Sequence, residues 1–284
     1  MTNLIDTRPT GPAAPLPPPR PTPRPPERTP AGVRVLWKVF AGLMIVSALV
    51  WGPYQVVTLL AHEERVETES FPAAGIARID IDGSSGSVDI EASERDTIEV
   101  RAEISDGLRR TGESREVVGD TLQLHSTCPN FGSDFCWVDY EVRVPRGLEL
   151  IVDGDNGSIT VTGSDAPITI DADNGSIRLA NVSGPLQLSA DNGRIEATQL
   201  RSSIATAGSD NGRVQLDFAV APTTVVATSS NGRVEVVVPN DGTAYRVDAR
   251  TDNGSETVDV PTDPNSDRSI TVRSDNGSVT ARTR

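Results

Sequence analysis

Seven Asn-Gly pairs recur through the second half of this chain, at Asn156, Asn174, Asn192, Asn211, Asn231, Asn253 and Asn276, and six are preceded by Asp. The steps between their glycines are 18, 18, 19, 20, 22 and 23 residues. A fixed period near 20 marks a chain built from one repeated unit. Between the pairs, aliphatic and polar residues alternate: Ile159 and Val161, then Ile168, Ile170 and Ala172, then Ile177 and Leu179. Alternation over about five residues is the pattern of half-buried strands, not of helices.

Two architectures satisfy that pattern. Asn-Gly can close type I′ hairpins in an antiparallel meander. It can also form the corner of a β-solenoid, each coil 18–23 residues long. Constant spacing with identical residues at each corner favours the solenoid, because equivalent residues then stack about 4.8 Å apart. Asn at a corner suits the left-handed backbone conformation, with Gly following. The stacked side chains of Asn156, Asn174, Asn192, Asn211, Asn231, Asn253 and Asn276 are expected to bond along the axis as a ladder. The expected fold is therefore all-β. It is preceded by one transmembrane helix and a disordered Pro-rich tail.

The chain before the repeat has three parts. Residues 1–32 hold eleven of the 21 prolines and cannot pack a core, so a disordered Pro/Arg-rich cytoplasmic tail is expected there. Whether it binds a proline-reading partner is left open. Residues 33–61 contain an uncharged apolar run from Val39 to Ala61, long enough to cross a bilayer. Arg34 and Lys38 precede it, and Glu63, Glu64, Glu67 and Glu69 follow it. Positive residues stay inside, so the expectation is a single-pass signal anchor in the cell membrane with residues 62–284 extracytoplasmic. A cleaved signal peptide is disfavoured by the length of the run and its distance from the N-terminus. Residues 62–71 read as a linker, and 72–284 as the solenoid. Within it, the polar stretch 106–136 reads as an insertion or cap. Arg282 and Arg284 are expected to blunt the far end.

Charge divides sharply along the chain. Of 26 basic and 40 acidic residues, 6 and 2 precede His62, leaving 20 and 38 and a net −18 beyond it. That balance argues against nucleic acid as a partner. Cys128 and Cys136, eight apart, are expected to form a disulfide in an oxidising compartment.

Catalytic groups are sparse. The chain has two histidines, His62 and His125, and nothing marks a nucleophile beside either. Paired carboxylates could serve a glycan-active enzyme. Their periodicity, and the scarcity of aromatic platforms, point to structure instead. Asp155, Asp173, Asp191 and Asp210 form a periodic column that could bind calcium between coils. Turn chemistry is the commoner reason for Asp there. No cofactor is expected.

The segment Val144-Pro145-Arg146-Gly147-Leu148-Glu149-Leu150, followed by Asn-Gly-centred coils behind a single span, resembles the bacterial putative-adhesin family of β-strand-repeat proteins of unknown function. The resemblance covers about residues 72–284 and implies an extracytoplasmic β-solenoid. The expected function is a non-enzymatic, membrane-anchored binding or scaffold module at the cell surface, with a cell-wall polymer or surface protein as partner. An envelope-stress accessory acting through its tail and a glycan-active enzyme are the alternatives.

Overall fold

The computed structural model describes residues 31–60, 62–129 and 135–284. The expected disordered tail lies outside these residues up to residue 30, as does the turn of the cysteine loop from Asn130 to Asp134.

Helix α1 spans Ala31–Leu60 and carries Pro53 inside it. Its segment Val35–Gln55, 21 residues long, is long and apolar enough to cross a membrane. Leu36 is 69% exposed and Trp51 64% exposed.

Among the described residues, the β module has nineteen strands. Seven build its first part: β1 (Glu63–Pro72), β2 (Arg78–Gly83), β3 (Val88–Ser93), β4 (Thr97–Asp106), β5 (Gly112–Val118), β6 (Thr121–Thr127) and β7 (Trp137–Pro145). Then β8 (Glu149–Thr162) and β9 (Ile168–Ala180) run through their Asn-Gly corners without a break. Later coils have two strands each: β10 (Leu186–Asn192) and β11 (Ile195–Leu200), β12 (Ile204–Asn211) and β13 (Val214–Phe218), β14 (Thr224–Asn231) and β15 (Val234–Val238). The last two coils are β16 (Arg246–Asn253) with β17 (Glu256–Asp259), and β18 (Ser269–Asn276) with β19 (Val279–Thr283).

Coil neighbours pair in parallel, which excludes the meander and establishes the solenoid. One inward row runs Leu150, Ile168, Leu186, Ala205, Val225, Ile270 and Val247. On the other side of the corner a second row runs Ile159, Ile177, Ile195, Val214, Val234, Val279 and Glu256. Apart from the ends of these rows, the side chains are buried aliphatics, and they form one continuous core. Small β-branched residues suffice because each coil is a thin layer supported from both sides.

The coils do not stack in sequence order. The Asn276 coil lies between the Asn231 coil and the Asn253 coil: β18 pairs with β14 and β16, and β19 with β15 and β17. The end of the stack is therefore β16 and β17, not the C-terminal residues. Arg282 and Arg284 do not blunt an edge. Arg282 instead pairs with Glu235 on the adjacent coil at 2.9 Å, and Arg284 with Asp217 one coil further on at 2.9 Å. The lengthening period has its cause here. Three residues join β11 to β12, but seven join β15 to β16 and nine join β17 to β18, because those links must skip or return across a coil. Tyr245, fully buried, and Arg268, donating to Ala221 O (2.8 Å) and Pro222 O (2.7 Å), hold these long links down. The aliphatic row ends at Glu256, whose carboxylate accepts the Thr251 N–H at 2.9 Å. A polar terminus on an apolar column discourages further stacking.

The first coil is clamped in the same way. β2 sits between β6 and β8, and β3 between β7 and β8. Antiparallel strands then close this end: β5 on β6, and β4 on β7 with β1 outside it. The polar stretch 106–136 thus supplies an ordinary coil strand, β6, together with the edge strand β5. Cys128 and Cys136 form a disulfide with Cα atoms 5.7 Å apart. It closes the loop that replaces an Asn-Gly corner between β6 and β7. Around it, Ser105 Oγ donates to Phe135 O at 2.6 Å, and Thr111 N and Arg65 Nη1 donate to Asp106 at 2.7 and 2.9 Å.

Candidate functional site

The corner ridge gathers most of the residues that the sequence singles out. Asn192 Nδ2 donates to Asn174 Oδ1 (3.2 Å), Asn211 to Asn192 (3.0 Å), Asn231 to Asn211 (3.0 Å), Asn276 to Asn231 (3.0 Å) and Asn253 to Asn276 (3.1 Å). Asn156 departs from the series and donates to Ser84 O at 3.4 Å. The order of bonds repeats the inverted order of the last two coils.

The reason for Asn and Gly differs from the left-handed corner expected. Among the described residues, the non-glycine positions with positive φ are Asn181 and Gln199, neither of them in a corner. Of the corner glycines, Gly157 (φ 139°) and Gly277 (φ 155°) lie in the left-handed half of the map. What all seven share is close approach. A β-carbon on Gly175, Gly193, Gly212, Gly232, Gly254 or Gly277 would collide with the carbonyl oxygen of the corner glycine on the adjacent coil, and one on Gly157 with that of Gly86. Side-chain bonding selects Asn, and carbonyl clearance selects Gly.

A second ladder lies just inside the first. Ser209, Ser229, Ser274 and Thr251 donate their hydroxyls to Gly193 O, Gly212 O, Gly232 O and Gly277 O at 3.2, 3.1, 2.9 and 2.8 Å. Earlier coils carry Gly154, Ala172 and Ala190 at this position. The switch from small apolar to hydroxyl residues two places before Asn is visible in the sequence and signals this ladder.

Asp155, Asp173, Asp191 and Asp210 stand in file on the outer side of the corner, all exposed. Among the described residues, no group of three or more His, Cys, Asp or Glu side chains is arranged to hold a metal ion. The next outward row is also acidic at one end. His125 Nδ1 lies 3.0 Å from Asp82 Oδ2, and Asp82, Asp153 and Asp171 are register partners on successive strands. Burial first, then Asp82 and Asp171, raise the Asp153 carboxyl above its usual range. Asp89 on the other face is raised by burial, then by Glu141 and Glu91. At the far end Asp248 is lowered, chiefly by its hydrogen bond from Arg273. Ser114 is the register partner of His125 on β5, but among the described residues no hydroxyl or thiol is hydrogen-bonded to His125, whose partner is Asp82.

The sequence reading missed the residue after the corner. It is Ser158, Ser176, Arg194, Arg213, Arg233, Ser278 and Ser255 in spatial order. Three arginines in consecutive coils follow one another in register, with Ile195 N donating to Arg213 O and Val214 N to Arg233 O, both at 2.9 Å.

Residues 146–283 match the family described as Toastrack DUF4097. The match begins in the turn before β8 and takes in every Asn-Gly corner, so this part of the chain is similar to the Toastrack family. Strands β1 to β7 precede it and continue its sheet. Among solved structures, a protein described as a putative cell adhesion protein from Clostridium sporogenes ATCC 15579 is 11% identical, covers 78% of this chain and 100% of its own, with TM-score 0.39. One described as a putative adhesin from Bacteroides fragilis NCTC 9343 is 14% identical, covers 78% and 97%, with TM-score 0.40. No curated protein matches the chain.

Proposed function

We infer that this protein is a non-enzymatic surface module: a Toastrack solenoid held at the outer face of a membrane by α1, presenting its outward rows to a cell-wall polymer or a surface protein. The observation that carries the reading is α1. Its segment Val35–Gln55 displays apolar side chains along its whole length, and Glu63, shortly after Leu60, opens the first strand of an acidic β module. An apolar helix of that length is at its lowest free energy in lipid. The corner residues support a structural role for the Asn-Gly pairs, since both residues are explained by stacking, and the scarcity of histidine supports a role without catalysis.

The full-length protein, in detergent micelles and immobilised, tests this reading against isolated envelope material. Retention of a wall polymer or surface protein by the folded but not the heat-unfolded protein is expected, with no oligosaccharide released from purified wall. Retention of nothing would remove the binding reading, and oligosaccharide release would restore the enzyme.

A further inference from the structure

Among the described residues, eleven of the twenty arginines beyond residue 61 pair with a carboxylate. Arg78 pairs with Glu149, Arg146 with Glu94, Arg273 with Asp248 and Arg282 with Glu235. With 38 acidic residues against 20 basic beyond residue 61, that is the ordinary outcome. Three of the others stand in one column at the corner. Arg194 and Arg213 are exposed and, among the described residues, have no side-chain partner. Arg233 gives one hydrogen bond, from Nε to Ser278 Oγ at 3.2 Å, which leaves its outer nitrogens free. Arg178, on the Asn174 coil and also exposed, borders the column.

Stacking fixes the geometry. The three arginines rise from backbones on consecutive coils about 4.8 Å apart, held by the bonds between their strands. Two serines on each side extend the file, so that seven successive positions offer N–H or O–H donors. Like charges in a row repel unless an anion sits among them. The nearest acidic groups do not fill that role. Glu235 is taken by Arg282 at 2.9 Å, which leaves Glu196 beside four arginines on this face. Asp191 and Asp210 project on the other side of the corner. More distant carboxylates act weakly, because the screening length is about 8 Å at physiological ionic strength.

We propose that the column Arg194, Arg213 and Arg233, flanked by Arg178 and the corner serines, is a binding site for a linear polyanion laid along the solenoid axis. Its anionic groups are phosphate or carboxylate, which guanidinium forks grip with paired, charge-assisted hydrogen bonds. This rests on the reading of the module as a surface-binding one and assigns that reading a ligand class and a place.

The test uses the full-length protein in detergent micelles with three probes: poly(glycerol phosphate), polygalacturonate and neutral dextran. Binding of one or both polyanions but not dextran is expected, and the arm that binds names the anion. The triple variant Arg194→Gln/Arg213→Gln/Arg233→Gln should weaken binding at least about tenfold. The triple Arg→Lys variant, which keeps the charge but not the fork, should lose less. Loss of three contacts should also flatten the dependence of log K on log salt by about two to three, a change that a folding defect does not mimic. Wild type that binds neither polyanion, or a triple Gln variant that binds as wild type does, overturns the proposal. If wild type and the triple Gln variant retain envelope material equally while ignoring both polyanions, this site falls and the surface-binding reading stands.

Discussion

Gly212 stands against the carbonyl oxygen of Gly193 on the adjacent coil, and a β-carbon at position 212 has no room there. The same oxygen accepts the Ser209 hydroxyl at 3.2 Å, so it cannot move aside without losing a bond. Gly212→Ala should therefore destabilise the module by about 1–3 kcal/mol or more. Gly147, where an added β-carbon would meet nothing within 4 Å, is the control, and Gly147→Ala should leave the melting temperature nearly unchanged. Equal melting temperatures for the two variants would refute the need for clearance at the corner.

Asn211 both donates to Asn192 and accepts from Asn231, each at 3.0 Å. Asn211→Ala removes both bonds and should cost about 1–2 kcal/mol. Asn211→Asp keeps the acceptor, loses the donor and adds a charge beside Asp210, so it should be worse at pH 7 than at pH 4. Denaturant melts at the two pH values check this. A neutral Ala variant would show that the ladder contributes nothing.

Much of this architecture can be read from the residues, and the rest fails for definable reasons. Alternation and period disclose strands and coils, because Ile168, Ile170 and Ala172 must share a face and equivalent corners must stack. Spatial order is invisible to a period, so the insertion of the Asn276 coil beneath the Asn253 coil left only an indirect trace in the longer links before Arg246 and Ser269. The choice of Asn and Gly was legible as a corner but not as to cause: backbone preference and coil-to-coil contact select the same two residues. The arginine column was overlooked because a net charge of −18 conceals three cations in file.

The inverted coil order has its own consequence. Truncation after Arg268 removes β18 and β19 from inside the stack, uncovering Val225, Ala227, Val234 and Val236 and leaving β16 and β17 without neighbours. The melting temperature should fall by roughly 10 °C or more, with Arg246–Asp259 losing amide protection altogether. Retained protection in that segment would contradict the order.

Acid should relieve the row that holds Asp153. A carboxyl raised in the folded state binds its proton more tightly there than in the unfolded chain. Its contribution to stability is therefore favourable at low pH and is lost as pH rises through the window above the ordinary range of about 4. Asp153→Asn should thus be more stable than wild type at pH 7, with the difference shrinking as pH falls toward 4. Asp248 has the opposite sign: its stabilisation is present at pH 7 and is lost as pH falls through its lowered value. A constant gap between Asp153→Asn and wild type from pH 7 to 4 would remove the burial and repulsion assigned to this site.

Reduction of Cys128–Cys136 opens an eight-residue separation between β6 and β7 and should cost about 2–3 kcal/mol. The loss should concentrate at the β1–β7 end, read as faster proteolysis near residue 128 with the Asn174 to Asn231 coils still protected. Uniform loss of protection along the whole module would argue against a separate end cap.

Display of the solenoid outside a membrane is tested most directly by labelling in intact cells. A single cysteine is introduced either on the exposed back of a coil, Ser203→Cys, or in the N-terminal tail, Thr10→Cys, and offered a membrane-impermeant maleimide. Ser203→Cys should be labelled in intact cells, and Thr10→Cys only after permeabilisation. Labelling of Thr10→Cys in intact cells with Ser203→Cys protected would contradict display outside the membrane.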